Sequence, residues 1–333
     1  MRKIVIALFC VVAGLFANDG FGPIGAGGII VGKTNDIAMA KEVLDISYDK
    51  IKVDYEFVNE SDKDITETIV FPLPVYLVGD PELHPSFFGT IPNFKVSVDG
   101  KPIKFEAKVI ATSFENSNKD ITKNLKNIGF SEYQIIAFAY DFDKNMKNYK
   151  KLLAKIGINQ DEALWYNHVR YEWKQTFKAK QTLKISHEYQ PFLGSYNRGY
   201  CNYYDDGVLV SSRNDIKSMY CADQETLDRL DRLAKKLPYI GLGEFYAEYI
   251  LKTANTWKDG IRDFKLIVRK RRADEIVSLC FPGSFKKTSP LTYEVELKNF
   301  KPKHDLKIYF GNIDRNSSFE PYKDKVDKPI FKK

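Results

Sequence analysis

The sequence predicts a mainly β protein: an antiparallel β-sandwich carrying a helical insertion, followed by a smaller antiparallel β domain. Three observations predict it. Apolar and polar residues alternate with a period of two across residues 43–57 and again after Val169. Prolines and turn-forming residues close these runs, at residues 59–64, at Pro72 and Pro74, and at Asp99-Gly100. Between residues 116 and 169 the period becomes helical and then reverts.

The chain begins with a segment that does not belong to this fold. Arg2 and Lys3 are followed by an apolar run over residues 4–12, then by Leu15-Phe16-Ala17 and the polar Asn18-Asp19-Gly20. That is the layout of a secretory signal peptide over residues 1–17, and its apolar run is too short for a membrane anchor. Cys10 leaves with it, because the bulky Phe9 stands where a lipoprotein signal needs a small residue. No later apolar run reaches spanning length, so the expectation is a periplasmic or secreted protein without a transmembrane anchor after cleavage. The net charge of +7 drops by two with Arg2 and Lys3, leaving a mixed, solvated surface and no nucleic-acid partner.

The sandwich domain is expected over residues 18–215. Its glycine-rich start leads to strands at 43–48, 51–57 and 65–71. Residues 94–98 and 103–107 flank Asp99-Gly100 and read as a hairpin. The helical insertion spans about 116–166. Ile121, Leu125 and Ile128 share one helical face ended by Gly129, and Ser131 with Gln134 forms a capping box. Strands at 169–173 and 183–185 complete the sandwich. A connecting helix is expected over 216–238, with Asp223 as a cap, Leu227, Leu230, Leu233 and Leu237 on its apolar face, and Pro238 as its stop. The second β domain covers 239–313, with strands near 245–253, 264–268, 276–281, 293–297 and 306–310. Residues 314–333 form a polar, flexible tail.

Gly27-Gly28-Ile29-Ile30-Val31-Gly32-Lys33-Thr34 matches the phosphate-loop pattern in full. Such a loop must join a strand to a helix N-terminus. Here no hydrophobic strand precedes it and a strand pattern follows it, so it reads as a glycine-rich arm and no nucleotide is assigned. Asp141-Phe142-Asp143-Lys144-Asn145 opens like a calcium loop, but Met146 stands at the glycine position and Leu152 at the bidentate glutamate position. His84, His168, His187 and His304 are scattered without zinc spacing. No metal and no cofactor is assigned.

The candidate ligand loop contains Tyr196, Tyr200, Tyr203, Tyr204, Asp205 and Asp206. Aromatic faces beside amides and carboxylates suit sugars or peptides, whereas the structural alternative packs the tyrosines on the sheet. Three cysteines remain in the mature chain: Cys201, Cys221 and Cys280. In an exported protein two of them pair. A Cys201–Cys221 loop of about 20 residues would contribute roughly 3 kcal/mol in the chain-entropy model, and a Cys221–Cys280 loop of about 60 residues roughly 4 kcal/mol. The residues themselves leave both pairings open.

Several segments together resemble one bacterial family. They are Asn18-Asp19-Gly20, Gly32-Lys33-Thr34 with Ile37, Met39 and Glu42, and the run from Val53-Asp54-Tyr55-Glu56-Phe57-Val58-Asn59 to Phe71-Pro72-Leu73-Pro74. Trp173-Lys174-Gln175-Thr176-Phe177, His187-Glu188-Tyr189-Gln190-Pro191 and Tyr220-Cys221-Ala222-Asp223 follow. The set ends with Tyr249-Ile250-Leu251-Lys252-Thr253, Trp257 and Val277-Ser278-Leu279-Cys280. The chain is similar to the exported domain of unknown function numbered 4424. The resemblance implies a secreted or periplasmic protein and favours pairing of Cys221 with Cys280, leaving Cys201 free. The strand before Phe71-Pro72-Leu73-Pro74 also resembles the β-sandwich of vault and inter-alpha-trypsin-inhibitor proteins. At Phe177-Lys178-Ala179-Lys180 the chain departs from the Pro-Gly turn that the family implies.

The expected function is that of a non-enzymatic envelope protein, binding or structural, whose partner is another envelope protein or a glycan. The alternative is a hydrolase of envelope polymers or oligosaccharides, with Asp205 or Asp206 as the catalytic carboxylate.

Overall fold

Ile51, Val53, Tyr55 and Phe57 are buried, while Lys52, Asp54, Glu56 and Val58 between them are only partly so. This alternation puts one face of each strand into a core and leaves the other toward water. The computed structural model describes residues 20–21, 26–27, 34–73, 75–78, 90–91, 93–116, 119–137, 149, 151–158, 165–196, 200, 202–205, 208–237 and 241–314.

The N-terminal strands are β1 (Gly20–Phe21), β2 (Ala26–Gly27), β3 (Ile37–Ile46), β4 (Ile51–Asn59), β5 (Ile65–Pro72), β6 (Tyr76–Val78), β7 (Lys95–Val98), β8 (Lys101–Pro102) and β9 (Glu106–Ser113). Helices α1 (Thr122–Asn127) and α2 (Glu132–Ala137) follow, then β10 (Trp165–Phe177), β11 (Thr182–Tyr189), β12 (Leu193–Tyr196), β13 (Asn202–Asp205) and β14 (Val208–Ser211). Next come α3 (Arg213–Tyr220), α4 (Gln224–Ala234) and β15 (Gly243–Ile250), with a 3-10 helix over Lys252–Thr256. The chain continues through β16 (Lys258–Arg269), β17 (Ile276–Leu279), β18 (Lys286–Ser289), β19 (Thr292–Phe300) and β20 (Leu306–Ile313).

One sheet of eight strands runs β18-β19-β16-β3-β4-β11-β7-β8. Two shorter sheets pack on its inner face. In the first, β5 and β6 lie along one side of β10 and β9 along the other. The second runs β1-β12-β15-β20-β17, with β2 also beside β15. Ring contacts mark both interfaces: Phe71 meets Tyr189 at 5.4 Å, and Tyr48 meets Phe310 at 5.4 Å. One continuous core joins all three sheets.

The mainly β class therefore holds, but the sheets do not follow the expected boundary at residue 239. Strand β16 lies parallel to β3, in register from Lys258 opposite Ala38 to Val268 opposite Ile46. Strands β16, β18 and β19 complete the N-terminal sheet, while β15, β17 and β20 share a sheet with the N-terminal β1 and β2 and with β12. The glycine-rich start also contributes: Gly20 pairs with Tyr196, and Gly27 pairs with Ile250. Thr34 leads directly into β3, its hydroxyl accepting from the Asp36 and Ile37 amides. No helix N-terminus follows the phosphate-loop pattern, as the strand periodicity predicts; its residues 28–33 lie outside the described residues, as do 141–148 of the calcium-like stretch.

The expected hairpin at Asp99-Gly100 is present but short. Both residues have positive φ, 47° and 77°, which is the backbone of a type I′ turn. Val98 pairs with Lys101 and Ser97 with Pro102. Ile103 still donates to the Val96 carbonyl at 3.1 Å; residues 104–105 then leave this sheet, and β9 joins the opposite one. The capping box forms as read, with the Ser131 amide donating to Gln134 Oε1 at 2.8 Å and the Gln134 amide to Ser131 Oγ at 3.2 Å.

The single helix expected over 216–238 is two helices. Cys221, at φ 54°, caps α3 in the left-handed conformation, and Asp223 then caps α4 through the Thr226 amide. Because α4 ends at Ala234, Leu237 is 42% exposed rather than on the buried face. The turn at 178–181 joins strands of different sheets and so is not a hairpin. Asp64 holds it in place of a Pro-Gly turn, accepting from the Ala179 amide at 2.9 Å and the Lys178 ammonium at 2.7 Å. Lys180 takes the left-handed position at φ 56°.

Candidate functional site

The candidate ligand loop is divided by the fold. Tyr196 ends β12, and Tyr203, Tyr204 and Asp205 lie in β13, which pairs with β14 as a two-stranded ribbon. Asp206 lies outside the described residues. Tyr200 is a packing residue. Its backbone bridges to Leu242, its ring is buried, and its hydroxyl donates to Asp231 Oδ1 at 2.6 Å. Burial, followed by the Asp231 carboxylate, holds the phenol well above its ordinary pKa. Asp231 also pairs with Arg213, whose other guanidinium nitrogen meets Asp228 Oδ1 at 3.1 Å. Arg213 thus ties the first turn of α3 to α4, and Tyr200 anchors the base of the ribbon to the same point.

The cysteines lie beside this cluster. Cys221 and Cys280 form a disulfide that fixes the end of α3 to the residue after β17. This is the pairing that the family resemblance favours. Ser278 reinforces it by donating to the Tyr220 carbonyl at 2.8 Å. Tyr200, Tyr220, Tyr246 and Tyr309 form a second core beneath α3 and α4.

A cleft of about 540 Å³ opens elsewhere, where β9 begins, a volume within the usual range for ligand pockets. Strand β10 is thirteen residues long, but β9 pairs with it only as far as Glu106 opposite Glu172. Residues 103–105 peel away toward β8, while β10 runs on to Phe177 beside β5. The cleft fills the gap. Thr68, Glu106, Lys108, Glu172 and Lys174 come from the outer face of the sheet, Ile103, Lys104 and Phe105 from the departing segment. Trp173 and Gln175 complete the lining.

The charges here are unequal. Glu172 is buried and satisfied, with Lys108 Nζ at 2.6 Å and the Arg170 guanidinium in contact. The hydrogen bond from Lys108 to this carboxylate raises the lysine pKa above its ordinary value. Glu106 lies 3.9 Å from the same lysine. Lys104 and Lys174 have no ion-pair partner among the described residues. Trp173 is buried, and its indole N–H likewise lacks a hydrogen-bond partner among them. Sequence reasoning missed this site. A strand that outruns its neighbour leaves no signal in periodicity.

A family model for a domain of unknown function, DUF4424, matches residues 17–309. The chain belongs to the DUF4424 family. The family read from the sequence motifs is therefore the right one. No curated protein matches the chain. Among solved structures, a crystal structure from Legionella pneumophila subsp. pneumophila str. Philadelphia 1, described as that of a "putative nutrient binding protein", is similar at 17% identity and a TM-score of 0.49. The match covers 88% of this DUF4424 chain and 72% of that one. Among the described residues of this DUF4424 protein, no helix is long and apolar enough to cross a membrane.

Proposed function

We propose that this DUF4424 protein is an exported, non-enzymatic binding module whose partner is another envelope protein. The observation that carries this reading is the cleft at residues 103–108 and 172–175, placed beside a strand edge that pairs with no described strand. Such an edge offers backbone groups that a protein partner can satisfy and a glycan cannot match in register. The Cys221–Cys280 disulfide supports an oxidising compartment, in line with the apolar leader at residues 4–12.

The test is photocrosslinking in cells that export the full chain, with the reactive residue placed in turn at Lys104, Lys174 and Val208. Capture of one defined envelope protein, together with a mature N-terminus at Asn18, is the expected result. Turnover of peptidoglycan or an oligosaccharide that disappears in Asp205→Asn or Asp206→Asn would replace this reading by the hydrolase.

A further inference from the structure

We infer that the open edge of β10 takes an added strand, supplied by an extended acidic segment of the partner. This rests on the binding-module reading and names the chemistry of its partner. The backbone directions decide which groups are free. The Leu73 amide donates to the Val169 carbonyl at 2.9 Å, so Val169 faces the β5 side of β10. Successive strand residues point their N–H and C=O groups to opposite sides. Tyr171, Trp173, Gln175 and Phe177 therefore bond toward β5, and Arg170, Glu172, Lys174 and Thr176 point toward β9. Pro72, which has no N–H, stands opposite Arg170 in agreement with this parity.

Because β9 pairs no further than Glu172, Lys174 and Thr176 face a gap. The Thr176 carbonyl accepts the Gln175 side-chain amide at 3.0 Å. That leaves the Lys174 N–H, the Lys174 C=O and the Thr176 N–H as open ladder groups among the described residues. Such an edge pairs with another strand unless charge or cover prevents it. Here the flanking charge selects rather than blocks. Lys104 and Lys174 rim the cleft without ion-pair partners among the described residues; of the two carboxylates in the lining, Glu172 is neutralised by Lys108 and Arg170, and Glu106, 3.9 Å from Lys108, offsets only one of the rim charges. An incoming strand that presents acidic side chains on one face meets both lysines. Its other face meets Ile103, Phe105 and Trp173. Main-chain bonds supply the affinity and the alternating side chains the selection.

The probe is a synthetic eight-residue peptide alternating glutamate and valine, compared with its lysine–valine counterpart. The full exported protein is expected to bind the acidic peptide and not the basic one. Binding should slow hydrogen exchange at the Lys174 and Thr176 amides. Lys104→Ala with Lys174→Ala should weaken it at least tenfold. Lys174→Pro should abolish it, since proline deletes an N–H on the open side and leaves the β5 ladder intact. Equal binding of both peptides, wild-type affinity in a folded Lys174→Pro protein, or unchanged exchange at both amides overturns the inference. Should Lys174→Pro not fold, the exchange measurement on the wild-type protein decides. Loss of peptide binding with continued crosslinking of an envelope protein elsewhere would remove strand addition and leave the binding-module reading standing. Peptide binding without any crosslinked partner would do the reverse.

Discussion

The Tyr249 hydroxyl donates to Oε1 of Glu42 at 3.3 Å, across the interface between the six-stranded and eight-stranded sheets. Tyr55 extends the chain, its hydroxyl 2.9 Å from that of Tyr249. Glu42 is an acid on the inner face of β3, buried where its neighbours are apolar. Burial pushes its pKa from 4.5 up to about 8, against the opposing effect of the Tyr249 hydrogen bond. His187 is the opposite case on β11. It is buried among the rings of Tyr55, Phe71 and Tyr189, with no hydrogen-bond partner among the described residues. Burial lowers its pKa from 6.5 to about 3.

These two shifts predict a flat-topped stability profile. Between pH 4.5 and 8 the folded state holds a proton on Glu42 that the unfolded state releases, so this group loses stability as pH rises. Between pH 3 and 6.5 the unfolded state protonates His187 and the folded state does not, so this group loses stability as pH falls. The slopes oppose each other from 4.5 to 6.5 and act alone outside that window, each at up to about 1.4 kcal/mol per pH unit. Chemical denaturation from pH 3 to 8 is expected to show a plateau with two falling limbs. Glu42→Gln should flatten the alkaline limb and His187→Phe the acid one. A single maximum unmoved by either variant would contradict the assignment. As pH falls through about 4.5, paired carboxylates such as Glu60 and Glu294 add to the acid limb, since their partners hold their pKa values below the ordinary one.

The inner faces of the strands were legible because period-two alternation reports which residues are buried. It does not report which strand lies beside which. Nothing around Phe264 or Leu266 marks β16 as the parallel neighbour of β3, since that pairing is decided by contacts over 200 residues away in sequence. The packing role of Tyr200 was hidden for a related reason. A tyrosine beside Asn and Asp has the same composition whether it faces solvent or, like Tyr200, donates inward to Asp231. The cleft was illegible because Lys104 and Lys174 read as ordinary surface residues until β9 leaves β10. The disulfide was the exception, and family motifs rather than spacing pointed to it.

Reducing the Cys221–Cys280 bond releases a loop with a sequence separation of 59. The chain-entropy model gives a loss of about 4 kcal/mol. Urea unfolding with and without reductant, or of Cys221→Ser with Cys280→Ser, is expected to show a loss of that size. Exchange protection should fall first in α3 and β17, which the bond holds together. A change below about 1 kcal/mol would mean that neighbouring contacts, such as Ser278 to Tyr220, already restrain the loop.

Asp231 accepts from both Tyr200 and Arg213, and each is at least partly withdrawn from water. Asp231→Ala leaves the Tyr200 O–H without its acceptor, although the Tyr200 oxygen still accepts from Arg213, at a cost of about 1–3 kcal/mol. Arg213 retains Asp228. Adding Tyr200→Phe to Asp231→Ala removes the stranded hydroxyl and should recover part of the loss. Thermal unfolding of the two single variants and the double variant measures this. Additive losses would show that the hydroxyl is not stranded.

Gly311 is required by the ring of Tyr309, two residues earlier on the same face of β20. A Cβ added at Gly311 would lie 2.6 Å from the Tyr309 hydroxyl oxygen and 2.7 Å from its Cε1. The ring cannot yield freely, because it is fully buried and packs against Tyr246 at 5.6 Å and Tyr220 at 5.9 Å. Moving it displaces the core beneath α3. Gly311→Ala is therefore expected to cost about 1–3 kcal/mol as an overpacking change, and Gly311→Val more. The clash is specific to one ring, so a double-mutant cycle isolates it. With Tyr309→Leu already in place, Gly311→Ala should cost little, giving a coupling above about 0.5 kcal/mol by denaturant unfolding. Equal costs in both backgrounds would place the strain in the backbone of β20 rather than in the Tyr309 ring.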